Sequence, residues 1–183
     1  AQIRCALAKT PKDDGFAYSD AVFPTSDGVT LSGWWMPADS KGKVLGTILL
    51  SHGAFHNREQ VLGRAEFLVK EGYQVLLFDL RGCGLSGDSP LSGGVREAGD
   101  FPAAEAYLAK THRLQKPVLF FGFSMGAMAA LRAAVQAPGP DAVIADSPLA
   151  NLESYVSRRT AGGVFAALPG FLGRCLAAYD RLT

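Results

Sequence analysis

The stretch "FFGFSMGAMAAL", residues 120–131, sets Ser124 between Gly122 and Gly126, where an apolar run ends and an alanine-rich one begins. The run before it, "KPVLFFGFS", reads as a buried strand, and Ser124 to Ala137 reads as a helix. Gly122-Phe123-Ser124-Met125-Gly126 therefore places G-x-S-x-G at a strand-to-helix turn. A turn that sharp holds the serine in a strained backbone conformation with its Oγ exposed. Residues close to it in space must then lack side chains. Backbone N–H groups at the start of the helix face any negative charge that develops beside the hydroxyl. The chemistry-free alternative is a glycine-flanked helix N-cap.

Outward from this turn, strands and helices alternate. "VLGTILLSHG", from Val44, is continuously apolar and then breaks into a polar, glycine-containing loop, as a strand buried on both faces does. About Arg58 to Lys70, apolar residues recur at helical intervals and stop at Glu71-Gly72. "YQVLLFDLRG" repeats the strand-then-loop pattern, residues 95–112 read as a helix that starts irregularly near Pro102 or begins there, and "DAVIADSP" reads as a fourth strand. Residues 20–37 read as two short strands joined by a turn at Ser26-Asp27-Gly28. The fold class expected is a three-layer α/β architecture, with a mostly parallel sheet and an N-terminal antiparallel hairpin. Its functional loops should lie at the carboxyl ends of the strands. After Asn151 the pattern weakens to one or two short helices and no strand.

The totals exclude several partners. With 183 residues, 48% apolar and 19% charged, the chain has the composition of a soluble globular domain. A formal net charge of +1 and the lack of any lysine or arginine run argue against a nucleic-acid or membrane-surface partner. Pro117 to Leu131 is too short and too interrupted to span a bilayer. Cys5, Cys83 and Cys175 are odd in number and far apart, which predicts free thiols in a reducing compartment. No signal peptide is visible in "AQIRCALAK", which could equally be a mature or trimmed N-terminus. A cytoplasmic location is favoured on these grounds, with a periplasmic or secreted one, and a single disulfide, left open. No metal-ligand cluster or phosphate loop appears, so no metal or organic cofactor is expected.

Ser51-His52-Gly53-Ala54 ends the first long strand, where a glycine-containing loop can offer a second N–H to an oxyanion. Ala54 and Met125 are the expected donors, with Phe55 as the fallback for Ala54. His52 reads as a residue that orients this loop rather than as a base.

Five segments, "DGVTLSGWWMP", "LLSHGA", "FDLRGCGLSG", "GFSMGAMAAL" and "ADSPLANL", occur in the order found in the α/β-hydrolase family, and over about residues 20–152 the chain resembles that family. It is most similar to the serine-esterase, monoacylglycerol-lipase and serine-aminopeptidase-like branch. The resemblance implies that Ser124 is the nucleophile, that the Ala54 and Met125 N–H groups form the oxyanion hole, and that Asp79, Arg81, Gly82 and Gly84 build a structural loop beside the site. It divides the chain into a partial hydrolase core over 1–150 and the start of a cap or connecting helical segment over 151–183.

The same resemblance points to a departure. In the family the acid and histidine of the triad follow the serine. Here His52, His56 and His112 all precede Ser124. By that comparison the sequence stops after roughly six of eight strands. Two residues could substitute: Asp146, at the end of the strand after the turn, as the acid, and His56, in the oxyanion loop, as the base. The plainer reading of Asp146-Ser147-Pro148 is the start of a turn. His112 reads as a solvated helix end, and Asp100 and Glu105 as helix residues needing only solvation or a local pair.

The expected function is serine hydrolysis of carboxylic esters through an acyl-serine intermediate, with a small-molecule ester or acyl substrate. Phe55, Phe123 and Met125 would form an apolar wall for the acyl group, with ordinary core as the alternative for each. A catalytically silent hydrolase fragment or pseudo-hydrolase acting as a binding module is the alternative, as is a peptidase of the same fold. An open edge near Val143 to Ala145 predicts self-association or a second chain that completes the sheet.

Overall fold

In a computed structural model, the structure describes residues 4–39, 42–136 and 139–149. Cys175, the last part of "ADSPLANL" and the helical segment expected over 151–183 lie outside them. The described chain forms strands β1 (Ser19–Pro24), β2 (Thr30–Met36), β3 (Thr47–Ser51), β4 (Gln74–Phe78), β5 (Val118–Phe123) and β6 (Ala142–Asp146), with helices α1 (Leu62–Lys70), α2 (Asp100–Lys110) and α3 (Met125–Gln136). They make one sheet in the order β1-β2-β4-β3-β5-β6. β1 and β2 are the antiparallel hairpin read from residues 20–37, and β2 also runs antiparallel to β4. The pairs β3–β4, β3–β5 and β5–β6 are parallel.

β3 and β4 are buried at every position, because helices cover both faces of the sheet there. On one face Leu49, Leu76, Phe78 and Phe120 pack against Phe101, Ala104 and Leu108 of α2 and Ala129, Ala130 and Ala133 of α3. On the other, Ile48, Leu50, Val75 and Leu77 pack against Leu62, Ala65 and Val69 of α1. The small side chains of α3 let its backbone approach the sheet closely.

Topology places the functional crevice. From β3 the chain crosses through α1 to β4 on one side, and from β5 it crosses through α3 to β6 on the other. The loops leaving β3 and β5 therefore diverge, which opens a crevice at the carboxyl ends of two neighbouring strands. The register pairs Ser51 with Gly122, so the Ser51-His52-Gly53-Ala54 loop and Ser124 meet there.

One helix start differs from the sequence reading, and the other is irregular as expected. The segment from Arg58 begins as one turn of 3-10 helix, Arg58–Val61, capped by the Asn57 side chain, which accepts from the Glu59 N–H. The second helical region likewise begins with a 3-10 turn, Arg96–Gly99, and places Pro102 in the first turn of α2, where its missing N–H costs nothing.

Candidate active site

Ser124 follows the last residue of β5 and precedes the first of α3, at φ +53°. Its N–H donates to the Asp146 carbonyl at 2.8 Å, extending the β5–β6 ladder, and its own carbonyl accepts from the N–H groups of Ala127 and Met128 at 3.0 and 3.2 Å. The residue is thus fixed from both sides while its side chain stays half-buried. Among the described residues nothing hydrogen-bonds its Oγ.

The flanking glycines are dictated by proximity. A Cβ on Gly122 would collide with the Gly126 carbonyl, and one on Gly126 would collide with the Ser51 Oγ and lie 2.6 Å from the His52 carbonyl oxygen. A Cβ on Gly53 would lie 3.2 Å from the Ser124 Cβ, so the loop after β3 rests directly against the serine.

That loop is held by side chains on three sides. His52 is fully buried; its Nδ1 lies 2.7 Å from the Gly53 carbonyl and its Nε2 accepts from the Leu80 N–H at 3.1 Å. With Nε2 accepting, Nδ1 carries the proton, and burial lowers the imidazole's affinity for a second one. Both nitrogens are used, so His52 orients the loop. The Gln60 Oε1 accepts from the Gly53 N–H at 2.9 Å, which commits that donor. The Cys5 thiol donates to the Phe55 carbonyl at 3.1 Å, and Asn57 Nδ2 donates to the carbonyls of Cys5 and Ala6, each at 3.1 Å. Phe55 itself sits at φ +63°. The N–H groups of Ala54 and Met125 have no hydrogen-bond acceptor among the described residues.

The other candidates separate. His56 is exposed on the loop after β3, and no hydrogen bond links it to Ser124. His112 is exposed at the end of α2 at φ +56°, far in the fold from the carboxyl ends of the strands. The Asp146 carboxylate is already engaged: Ser147 Oγ donates to Oδ1 at 2.8 Å, and Arg64 donates to Oδ2 through Nη2 at 2.6 Å and Nε at 3.2 Å. These two partners, Ser147 first, hold its carboxyl below the usual range. The Met125 side chain is buried in the core, and Phe123 is half-buried beneath the Arg64 guanidinium, whose Cζ lies 4.8 Å from the ring centroid.

Beside the crevice, the loop after β4 is held by charges that sequence reading underrated. Asp79, fully buried, accepts from the N–H groups of Arg58 and Leu85 at 2.7 and 2.8 Å. Arg81 bonds Asp100 through Nε at 2.7 Å and Asp27 through Nη1 at 2.5 Å. Asp100 is buried rather than solvated, and its partner lies on another element. Burial pushes its carboxyl up to about 7 against the pull of Arg81. Asp27, at the hairpin turn, is held down to about 2 by Arg81 and Thr25. The Cys83 thiol, buried near Glu97 and Asp79, is pushed up to about 12 and is inert at neutral pH. Cys5 and Cys83 are both free. Among the described residues no helix is long and apolar enough to cross a membrane.

Comparison with known proteins agrees with this architecture. An esterase of Pyrococcus furiosus, Pf2001, superposes with a TM-score of 0.80 at 35% identity, covering 92% of this chain and 66% of its own. An uncharacterised protein of Mycobacterium tuberculosis strain H37Rv is 35% identical over 134 residues, and a polyketide transferase of Aspergillus fumigatus, af380, is 31% identical over 140; each match takes in 73% of this chain and 46% of the relative. The chain thus spans about half the length of these curated relatives. The family profile described as serine aminopeptidase, S33, matches residues 42–179, and by that match the chain belongs to the S33 serine aminopeptidase-like family of α/β-hydrolases.

Proposed function

We propose that this chain carries the nucleophile and oxyanion hole of a serine hydrolase that cleaves carboxylic esters through an acyl-serine intermediate. The observation that carries the reading is Ser124 at φ +53°, between strand and helix and against the loop after β3, with neither its Oγ nor the Ala54 N–H bonded by any described residue. In the reaction, the Ser124 Oγ attacks the ester carbonyl as its proton passes to a base. The oxyanion is stabilised by the N–H groups of Ala54 and Met125, the second reinforced by the start of α3. Collapse of the tetrahedral intermediate expels the alcohol, which takes the proton back, and water then releases the acid by the same steps in reverse.

No histidine follows Ser124 in this sequence. We assign the base, and the acid that orients it, to residues outside those described, supplied by a longer protein or a second chain. His56 and Asp146 are the alternatives within the chain, but the Asp146 carboxylate is already committed to Arg64 and Ser147. A second reading, acyl transfer to an acceptor other than water, is favoured by the relative described as a polyketide transferase, because the same acyl-serine serves either acceptor. A silent binding module and a peptidase are the further readings that the test must separate. The full-length protein, assayed with p-nitrophenyl acyl esters and with aminoacyl p-nitroanilides, is expected to turn over the esters preferentially. Preference for the anilides would make it a peptidase, and failure to turn over either, in a folded sample, would make it a binding module.

A further inference from the structure

We propose that Arg64 is a positioning residue of the nucleophile elbow, acting on Ser124 through both residues that fix its backbone. The inference rests on the reading of Ser124 as nucleophile and goes beyond it, since Arg64 lies on α1, sixty positions earlier in the chain. On one side the guanidinium lies over the ring of Phe123, the residue preceding the serine, with its Cζ 4.8 Å from the centroid. On the other, its Nη2 and Nε both donate to Asp146 Oδ2. The backbone carbonyl of that same Asp146 receives the Ser124 N–H at 2.8 Å.

One planar cation thus grips the residue before the strained serine and the residue that holds the serine's N–H. Ser147, the next residue, is at φ +55° and donates to the other Asp146 oxygen, so the far side of the clamp is itself fixed. β6 is the outermost described strand on its side, and its residues are exposed or half-buried. The Arg64–Asp146 pair ties its carboxyl end to α1 across the neck of the elbow. The Arg64 and Asp146 side chains are only 37% and 31% exposed, so solvent screens the pair partly and the two groups hold one geometry. Lysine could supply the charge but neither the twin donors nor the flat stacking surface.

The test uses the full-length protein and reads three things on each variant: steady-state ester kinetics, the rate of Ser124 labelling by a fluorophosphonate, and the thermal melt. Arg64→Met is expected to lower kcat and the labelling rate together by roughly 10- to 100-fold, the cost of a misplaced reacting group, with KM changed by less than about threefold. Arg64→Lys should fall between it and the wild type, and it tests the claim even if the methionine variant does not fold. Arg64→Met combined with Asp146→Asn should be no worse than the more damaging of the two single changes, because the pair acts as one unit. Wild-type labelling rates in Arg64→Met and Arg64→Lys would overturn the proposal. So would a loss of roughly 10^4-fold in Asp146→Asn beside a mild Arg64→Met, since Asp146 would then belong to the reacting groups themselves. Ester turnover that survives Ser124→Ala would instead remove the nucleophile reading beneath it, and that control separates the two failures.

Discussion

Ser124 occupies a left-handed backbone conformation that costs a residue with a side chain on the order of 1–2 kcal/mol. Three hydrogen bonds and two glycines stabilise it there. Gly122 is the tighter of the two, because a Cβ there would run into the backbone of Gly126 and Ala127, while the missing Cβ of Gly126 leaves room for the Ser51 hydroxyl and the His52 carbonyl. Gly126→Ala should destabilise the fold by about 1–3 kcal/mol, the usual cost of overpacking, and lower the Ser124 labelling rate as well; urea unfolding followed by circular dichroism measures the first. An unchanged midpoint would show that the turn has slack which the geometry denies. The serine was legible in the sequence because its motif is local, five residues at a strand-to-helix boundary. The residues that brace it were not. Gln60 reaches Gly53 from the next helical turn, and Arg64 reaches Asp146 across 82 positions; neither pairing leaves a periodic or spacing signal.

Among the elements, the hairpin and the four later strands were readable from alternation and apolar runs, since burial on both faces leaves no choice of residue in β3 and β4. The ties between elements were hidden, as Asp100 illustrates. Read alone it is an ordinary charge in a helical segment, yet with Arg81 and Asp27 it links the start of α2 to the β4 loop and the β1–β2 turn. Asp27 gives this link a pH signature. Its carboxyl is lowered from 3.8 to about 2 in the folded protein, so the bond contributes stability above about pH 4 that is lost as pH falls toward 2. Because the side chain is 57% exposed, screening limits that contribution to less than about 1 kcal/mol. The stability difference between wild type and Asp27→Asn, followed by chemical unfolding, should therefore shrink between pH 4 and pH 2. A difference constant over that range would contradict the assignment.

For the whole molecule, the strand order explains why the candidate site lies where it does: the crossovers from β3 and β5 run in opposite directions, and the crevice they leave receives Ser124 and the loop after β3 together. Among the described residues the same order leaves β6 as an outer strand with Ile144 38% exposed, and an apolar outer strand is prone to pair with another chain. This 183-residue chain by itself is expected to associate in sedimentation velocity, and Ile144→Lys to shift it toward monomer; a monomer at high concentration without the substitution would count against this. The fold was legible because its motifs recur in a fixed order, whereas substrate and base were not, because no histidine follows the serine and substrate choice rests on the shape of the walls around it. The claim on which the rest depends is that Ser124 is a nucleophile. Its most direct test is exposure of the folded full-length protein to a fluorophosphonate, followed by peptide mapping beside a Ser124→Ala control. The account predicts a single adduct on Ser124 that vanishes in the control. An unlabelled Ser124 in a folded sample, or an adduct that survives the substitution, would contradict it.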